Sequence, residues 1–259
     1  MISPPPKPMR TRRLAGLLAA LLVLPAAARA ECGHVAHEGR GYVVCETDPA
    51  RVELRLFRLD TTGAVLGSFA RVDLMLAGEG KTLAFAMNAG MYHADRSPVG
   101  LYIEGGEQQA PAVASAGPGN FGLLPNGILC LADGVARVIE TRAYLAEPPA
   151  CRYATQSGPM LVIDGALHPR FLPDSDSRFV RNGVGVTADG RALFAISDRP
   201  VTFHEFGRLF RDVLETPNAL YLDGKISRLY APELGRSDIG LPMGPIVGAL
   251  VDAPGDAPR

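Results

Sequence analysis

The feature that most limits how this chain can fold is a series of short apolar runs, each no longer than a strand, broken by Asp-Gly pairs at Asp133-Gly134, Asp164-Gly165, Asp189-Gly190 and Asp223-Gly224. Glycine adopts positive φ without steric cost and aspartate bonds readily to nearby backbone, so such pairs suit tight hairpin turns. Each pair is expected to close a hairpin. Strand periodicity agrees, since Val52, Leu54 and Leu56 alternate onto one face between Arg51 and Leu59, and Thr82 to Met87 is a short run fit for burial. One helix is signalled by the capping-box spacing of Thr202-Phe203-His204-Glu205, with Phe206, Leu209, Phe210, Val213 and Leu214 following at helical intervals. A fainter helical pattern runs from about Ser68 to Ala77. The expectation is an α+β single domain, with a mixed or antiparallel sheet core, many hairpins and a few packed helices; no low-complexity linker divides it.

The first 30 residues carry Lys7, Arg10, Arg12, Arg13 and Arg29, no acid, and the apolar run Leu14 to Val23, followed by Ala28-Arg29-Ala30. This is the order of a signal peptide cleaved after Ala30, and the run is shorter than the roughly 18 apolar residues of a stable membrane span. The expectation is a periplasmic or secreted protein, with a domain over 31–251 and a flexible Pro- and Asp-rich tail over 252–259. Beyond residue 30 the chain holds 21 Lys and Arg against 27 Asp and Glu, so it lacks the basic footprint of a nucleic-acid binder. Its four cysteines, Cys32, Cys45, Cys130 and Cys151, all lie in the expected mature chain, and export implies two disulfides. Of the three possible pairings, Cys32 with Cys45 and Cys130 with Cys151 close the shortest loops, although spacing alone does not choose between them. A competing use of Cys32, His34 and His37 as metal ligands lacks a second cluster to complete a site.

Standard motifs fail informatively. Gly117-Pro118-Gly119-Asn120-Phe121-Gly122 has the letters of GxGxxG, but Pro118 lies inside it and Leu124-Pro125-Asn126-Gly127 stands where a helix should begin. No Walker loop, HExxH or G-x-S-x-G is present, and no motif calls for a metal or a cofactor. What remains is five polar, glycine-bearing or acidic clusters at the ends of apolar runs: Asn88-Ala89-Gly90-Met91-Tyr92, Thr155-Gln156-Ser157-Gly158-Pro159, Arg181-Asn182-Gly183, Ser197-Asp198-Arg199 and Leu222-Asp223-Gly224. Any one of them is explained by turn chemistry. Together their carboxylates, amides and guanidinium point to a shared polar cleft. His93 and His168 are candidate proton carriers, whereas His204, in the first turn of the expected helix, reads as solvated. The stretch Asp174 to Arg178 reads as a loop able to close over a ligand.

The ordered segments NAGMY at 88, PVGLYIEGG at 98, GNFGLLPNG at 119, ATQSGPMLVIDG at 154, RNGVGV at 181, FAISD at 194 and NALYLDGKISRLY at 218 resemble the bacterial branch of the phosphodiester glycosidase family, over roughly Tyr42 to Val251. The resemblance places Asn88, Gly90 and Tyr92 on the family's N-G-G-aromatic strand end, with Ala89 where glycine is usual. It places Arg181 on an R-T-x-x-G motif with Asn182 in place of threonine, Asp198 on the acid closing the next strand, and Asp223-Gly224 at the start of L-D-G-G-G-S. Lys225 and Ile226 there replace two glycines before Ser227. The implied activity is hydrolysis of the glycosidic bond of a sugar phosphodiester, releasing sugar and a phosphomonoester. Asp198 and Asp223 would face the anomeric carbon, and Arg181 and Lys225 would bind phosphoryl oxygens. Asn88 and Ser157 would bond sugar hydroxyls or water, with Gly90, Gly224 and Ser227 completing the substrate contacts. The implied partner is a glycan or sugar phosphate, and the oligomeric state is left open. Two other classes fit the same cleft: a non-catalytic periplasmic glycan-binding or envelope accessory protein, and a phosphodiesterase cutting the phosphorus–oxygen bond.

Overall fold

The computed structural model describes residues 30–254 together with Ile2. The expected leader, apart from Ile2 and Ala30, and the last five residues of the expected tail lie outside the described residues. In chain order the first half runs β1 Glu31–His37, β2 Arg40–Thr47, β3 Glu53–Phe57, α1 Phe69–Ala77, β4 Lys81–Asn88, β5 Tyr102–Glu104, β6 Glu107–Ala110, β7 Gly127–Ala132, β8 Val135–Glu140 and α2 Thr141–Ala146. The second half runs β9 Tyr153–Ser157, β10 Met160–Ile163, β11 Ala166–Leu167, β12 Asn182–Val186, β13 Ala192–Ser197, α3 Phe203–Arg208, β14 Asn218–Asp223, β15 Leu229–Ala231, β16 Arg236–Ser237 and β17 Ile246–Asp252.

These strands form three sheets, ordered β1-β2-β13-β12-β14-β10-β11, β16-β15-β4-β17-β3 and β6-β5-β9-β7-β8. Every pairing is antiparallel, so the core is antiparallel rather than mixed. The central core lies between the sheets, where Val43, Phe194 and Leu220 of the seven-stranded sheet meet Phe85 and Leu229 of the second and Leu129 of the third. Phe85 and Phe194 touch across the sheets with ring centroids 5.3 Å apart. Helix α3 and the turn that follows it cover the other face of the seven-stranded sheet through Phe206 and Phe210, which pack with Leu161 and Tyr221. Helix α1 covers the second sheet through Val72 and Leu76, against Phe57 and Ile246.

Local sequence explains most of these elements. Ser68 caps α1, its hydroxyl accepting from Arg71 N–H, and α3 begins with the full capping box of Thr202 and Glu205. The apolar spacing that follows does not extend α3 as a regular helix, because Leu209–Val213 widens into a π-helical turn. Phe210 C=O accepts from both the backbone N–H and the hydroxyl of Thr216, which draws the chain back toward β14. Strand β17 runs through Asp252, and Ala253 N–H donates to Gly80 C=O, so the first two residues of the expected tail are bonded to the body.

Three of the four Asp-Gly pairs close hairpins, between β7 and β8, β10 and β11, and β12 and β13, with φ of 73°, 80° and 91° at Gly134, Gly165 and Gly190. The expectation fails for Asp223-Gly224. β14 belongs to the seven-stranded sheet and β15 to the second, so this pair opens a crossover instead of a hairpin. The carboxylate is the local cause, since Asp223 Oδ1 accepts from Gly224 N–H at 2.5 Å and from Lys225 N–H at 2.8 Å and bends the chain away from β14.

Cys32 pairs with Cys45 across β1 and β2, and Cys130 pairs with Cys151, leaving no free cysteine. The first bond removes the proposed Cys32-based metal set, because a disulfide sulfur is not a thiolate ligand. No helix among the described residues is long and apolar enough to cross a membrane. The Cys130–Cys151 bridge closes a loop of sequence separation 21 in the unfolded chain. Replacing both cysteines by serine is expected to lower the unfolding free energy by about 3 kcal/mol in urea titrations; an unchanged midpoint would show that the bridge adds no stability.

Candidate active site

Strand register brings the polar clusters to one end of the sheets. Asn182 opens β12 opposite both Ile196 near the end of β13 and Asp223 at the end of β14. Asn88 ends β4, and Ser157 ends β9. The sheets are joined there by side chains. Asn182 Nδ2 donates to Asn88 O at 2.9 Å and to Asn88 Oδ1 at 3.1 Å, and Arg228 N–H donates to that same Oδ1 at 2.9 Å. Ser227 Oγ lies 2.8 Å from Val180 O and 2.9 Å from Asp223 O, tying the crossover to β12 and β14, and Ser157 Oγ donates to Leu222 O at 3.0 Å. Asn88 and Ser157 are fully buried, so both hold the framework. Gly90, at φ 123°, admits the end of β9: a Cβ there would lie 3.0 Å from Thr155 Oγ1 and 3.3 Å from Gln156 O.

Arg181 and Asn182 send their side chains to opposite faces, Asn182 to Asn88 and Arg181 toward α3. Arg181 is 0% exposed. Its Nε donates to Val201 O and its Nη2 to Ser177 O, both at 2.9 Å. The guanidinium carbon stands 3.6 Å from the Phe203 ring centre and 5.4 Å from those of Phe179 and Tyr221. No carboxylate among the described residues lies within ion-pair distance of it, so Arg181 forms no ion pair with Asp198 or Asp223. Nη1 reaches no acceptor among the described residues. Burial lowers the Arg181 pKa from its ordinary value, although guanidinium remains the charged form at neutral pH.

Tyr221 lies near enough to the guanidinium and to Asp223 to feel both charges. Burial raises its pKa, with Arg181 pulling it down and Asp223 pushing it up. A Cβ at Gly224 would overlap Tyr221 Oη, which explains why the residue after Asp223 is glycine. Asp223 itself is 9% exposed, and burial raises its pKa against the opposing pull of the Lys225 and Gly224 N–H groups. Tyr92 lies on the same side, its phenol raised by burial and then by the Asp223 charge. Lys225 is exposed and in no ion pair among the described residues, and Ile226 packs against the core beneath α1.

Asp198 is set apart. It is exposed, 3.9 Å from Arg236 Nη1, and sits over Gly41, where a Cβ would collide with its carboxylate. It opens on a cavity of about 410 Å³ shared with Arg40 and Arg199. Asp198 and Asp223 have no hydrogen-bond or ion-pair partner in common. A larger cavity of about 860 Å³ lies at the opposite end of the seven-stranded sheet, beside Glu46, Asp189 and Arg191, away from all of these groups. No cluster of three or more His, Cys, Asp or Glu among the described residues is placed to hold a metal. His168 is buried and stacked on Phe171, with Nε2 3.1 Å from Leu124 O and a pKa lowered by burial, so its place is structural; His93 is exposed.

Sequence reasoning passed over Tyr221 and Glu205 as site residues. Tyr221 was readable, because it lies two residues before Asp223 on a strand and so shares its face. The sequence marks Glu205 only as the acid of a capping box. Its carboxylate also takes Arg40 Nη2 at 2.6 Å and Arg178 Nη1 at 2.8 Å. Burial pushes its pKa up, but Arg178, the Thr202 N–H and Arg40 together hold it below the usual value.

An antiparallel three-sheet body with its polar residues at these strand ends is the frame of a phosphodiester glycosidase domain, and the model of that family matches residues 81–239. The chain belongs to the phosphodiester glycosidase family. It is 31% identical over 183 residues to the Uncharacterized protein YigE of Escherichia coli (strain K12), covering 71% of each chain. Its fold is similar to that of the zebrafish N-acetylglucosamine-1-phosphodiester alpha-N-acetylglucosaminidase catalytic domain auto-inhibited by pro-peptide, with a TM-score of 0.56, 12% identity, and coverage of 86% of this chain and 82% of that one. A hypothetical protein from Synechocystis matches with a TM-score of 0.54 and 12% identity over 85% of this chain and 61% of its own.

The raised Asp223 pKa has a definite sign for stability. A carboxyl that holds its proton more tightly folded than unfolded favours the fold below its ordinary pKa of 3.8, and that contribution is lost as pH rises through the folded value. Asp223→Asn keeps an Oδ1 acceptor for the two N–H groups and removes the buried charge. Its Tm is expected to exceed that of the unaltered protein at pH 7, with the gap closing toward pH 3; a lower Tm at pH 7 would show that the ionised carboxylate stabilises the crossover.

Proposed function

We propose that this protein is an exported hydrolase that cleaves the glycosidic bond of a sugar phosphodiester. The observation that carries the reading is the Arg181 guanidinium, wholly buried and, among the described residues, without a carboxylate partner and without a hydrogen bond to Nη1. A guanidinium removed from water is costly unless an anion accompanies it, and its planar fork matches two oxygens of a phosphodiester. The two disulfides support an oxidising compartment. The activity printed in the name of the zebrafish relative supports a sugar 1-phosphodiester as the substrate class.

In this reading Arg181 binds the phosphoryl oxygens, with exposed Lys225 adding a point charge from the rim. Asp223, on the same side of β14 as Tyr221, faces the anomeric carbon. The water oxygen bonds to that carbon while the bond from the carbon to the bridging oxygen breaks, the electron pair leaves on the phosphate oxygen, and one water proton passes to solvent or the departing phosphomonoester. A phosphomonoester has a second pKa near 6, so it departs with less need of a general acid than an alcohol does. Asp223 stabilises positive charge developing on the sugar, and its buried setting strengthens that effect. Asp198 holds water at the cavity it shares with Arg199. The non-catalytic glycan-binding alternative draws on one observation, the complete enclosure of Arg181.

Hydrolysis of a sugar 1-phosphodiester in ¹⁸O-labelled water is expected to place the label in the sugar. Label in the phosphomonoester would make the protein a phosphodiesterase, and binding without release of either product would make it a glycan-binding protein. Asp223→Asn should lower kcat by about 10²–10³-fold, the loss seen when a group stabilising transition-state charge is removed. Turnover that persists unchanged in that variant would take Asp223 out of the site.

A further inference from the structure

The guanidinium offered for phosphate binding has no open route to solvent, and one segment accounts for this. Residues 172–180 contain no helix or extended strand; one β-bridge joins Phe179 to Val201, and Val180 at the segment's end is tied down, its carbonyl accepting from Ser227 Oγ at 2.8 Å. From Leu172 to Phe179 every residue but Ser175 is exposed. Yet this segment supplies two of the groups that enclose Arg181: the Ser177 carbonyl, which takes Nη2 at 2.9 Å, and the Phe179 ring at 5.4 Å. Phe203, Val201 and Tyr221, the other groups around the guanidinium, belong to the folded body. Phe179 also borders the crossover, with its Cβ 3.4 Å from where a Cβ on Gly224 would stand.

Between the exposed stretch and α3 there is one ion pair. Arg178 donates through Nη1 to Glu205 Oε2 at 2.8 Å and through Nη2 to Oε1 at 3.0 Å, a bidentate pair. Glu205 is held independently, by the Thr202 N–H at 2.9 Å, by Arg40 at 2.6 Å and by its place in the first turn of α3. The better-held half of the pair is thus on the body, and the exposed half is next to the residue whose carbonyl occupies Nη2.

We infer that residues 172–180 form a lid over Arg181, latched by Arg178 to Glu205, and that an anionic ligand enters by displacing the Ser177 carbonyl from the guanidinium. The exchange is balanced in hydrogen bonds. Opening leaves Nη2 and the unpaired Nη1 free for two phosphoryl oxygens, and the Ser177 carbonyl, on an exposed residue, turns to water. A phosphodiester, with two equivalent anionic oxygens, fits the pair of donors; a neutral sugar gains nothing from them. Apparent affinity is then the intrinsic affinity multiplied by the fraction of molecules with the lid open, so weakening the latch tightens binding. Arg178 and Glu205 act here as positioning residues.

The inference rests on the proposed role of Arg181, and the test separates the two. Inorganic phosphate serves as the probe with the full chain, its affinity measured by calorimetry, and amide hydrogen exchange is followed across residues 172–180. Arg178→Ala is expected to speed exchange in that segment alone and to tighten phosphate binding about threefold or more. Glu205→Gln, which keeps an acceptor for the cap, is expected to shift both in the same direction. Arg181→Met is expected to abolish phosphate binding whatever the state of the latch. If phosphate binding depends on Arg181 but Arg178→Ala and Glu205→Gln leave exchange or affinity unchanged, or weaken binding, the lid is wrong and the phosphate grip stands. If Arg181→Met binds phosphate as well as the unaltered protein, the grip itself is wrong.

Discussion

A guanidinium held out of water without a carboxylate beside it is the constraint around which this end of the molecule is arranged. Desolvating such a cation costs several kcal/mol unless other groups replace its hydration. Here two backbone carbonyls and the face of Phe203 do so in part. The aromatic support continues outward, because Phe203 stacks on Phe171, which stacks on His168, while Tyr221 meets Phe203 edge-on. The arrangement fixes Arg181 from every side but leaves its charge unanswered. That combination of rigid placement and incomplete compensation is the basis of the anion-binding role proposed for Arg181.

The second requirement is that elements distant in the chain converge on this point, and the buried amides meet it. Asn88 and Asn182 are 94 residues apart and share bonds that join the end of β4 to the start of β12. The family pattern has threonine where Asn182 stands, and the longer amide here reaches both the backbone and the side chain of Asn88. Ser157 and Ser227 add two further ties to β14 and its crossover. These side chains join the strand ends that carry Arg181, Tyr221 and Asp223. Ile226 works in the same way from below: it fills the layer under α1 where the family pattern has glycine, and it leaves Lys225 projecting into solvent.

Much of the local structure was legible in advance because its causes are local. The capping box at Thr202, the serine cap before α1, the alternation of Val52, Leu54 and Leu56, and three Asp-Gly hairpins each depend on a few neighbouring residues. The exceptions have nonlocal causes. Asp223-Gly224 has the letters of a hairpin, but the next strand pairs in another sheet. The apolar spacing after Glu205 continues as a helix on paper, whereas Thr216 pulls on the Phe210 carbonyl and the turn widens. Asp198 and Asp223 look alike in sequence, each an acid closing an apolar run, yet one is open to solvent beside Arg236 and the other is buried against Tyr221.

What the amino-acid order determined by itself was the inventory: antiparallel strands, two capped helices, cysteines close enough to pair, and five polar strand ends. Those follow from φ preferences, side-chain periodicity and short-range bonding, which act over a handful of residues. Which strand ends meet, which acid loses its water, and that Arg181 is shut beneath Ser177 and Phe179 were decided only by the tertiary structure. Burial and electrostatic environment are set by groups brought together from across the chain, and no single stretch of it carries them.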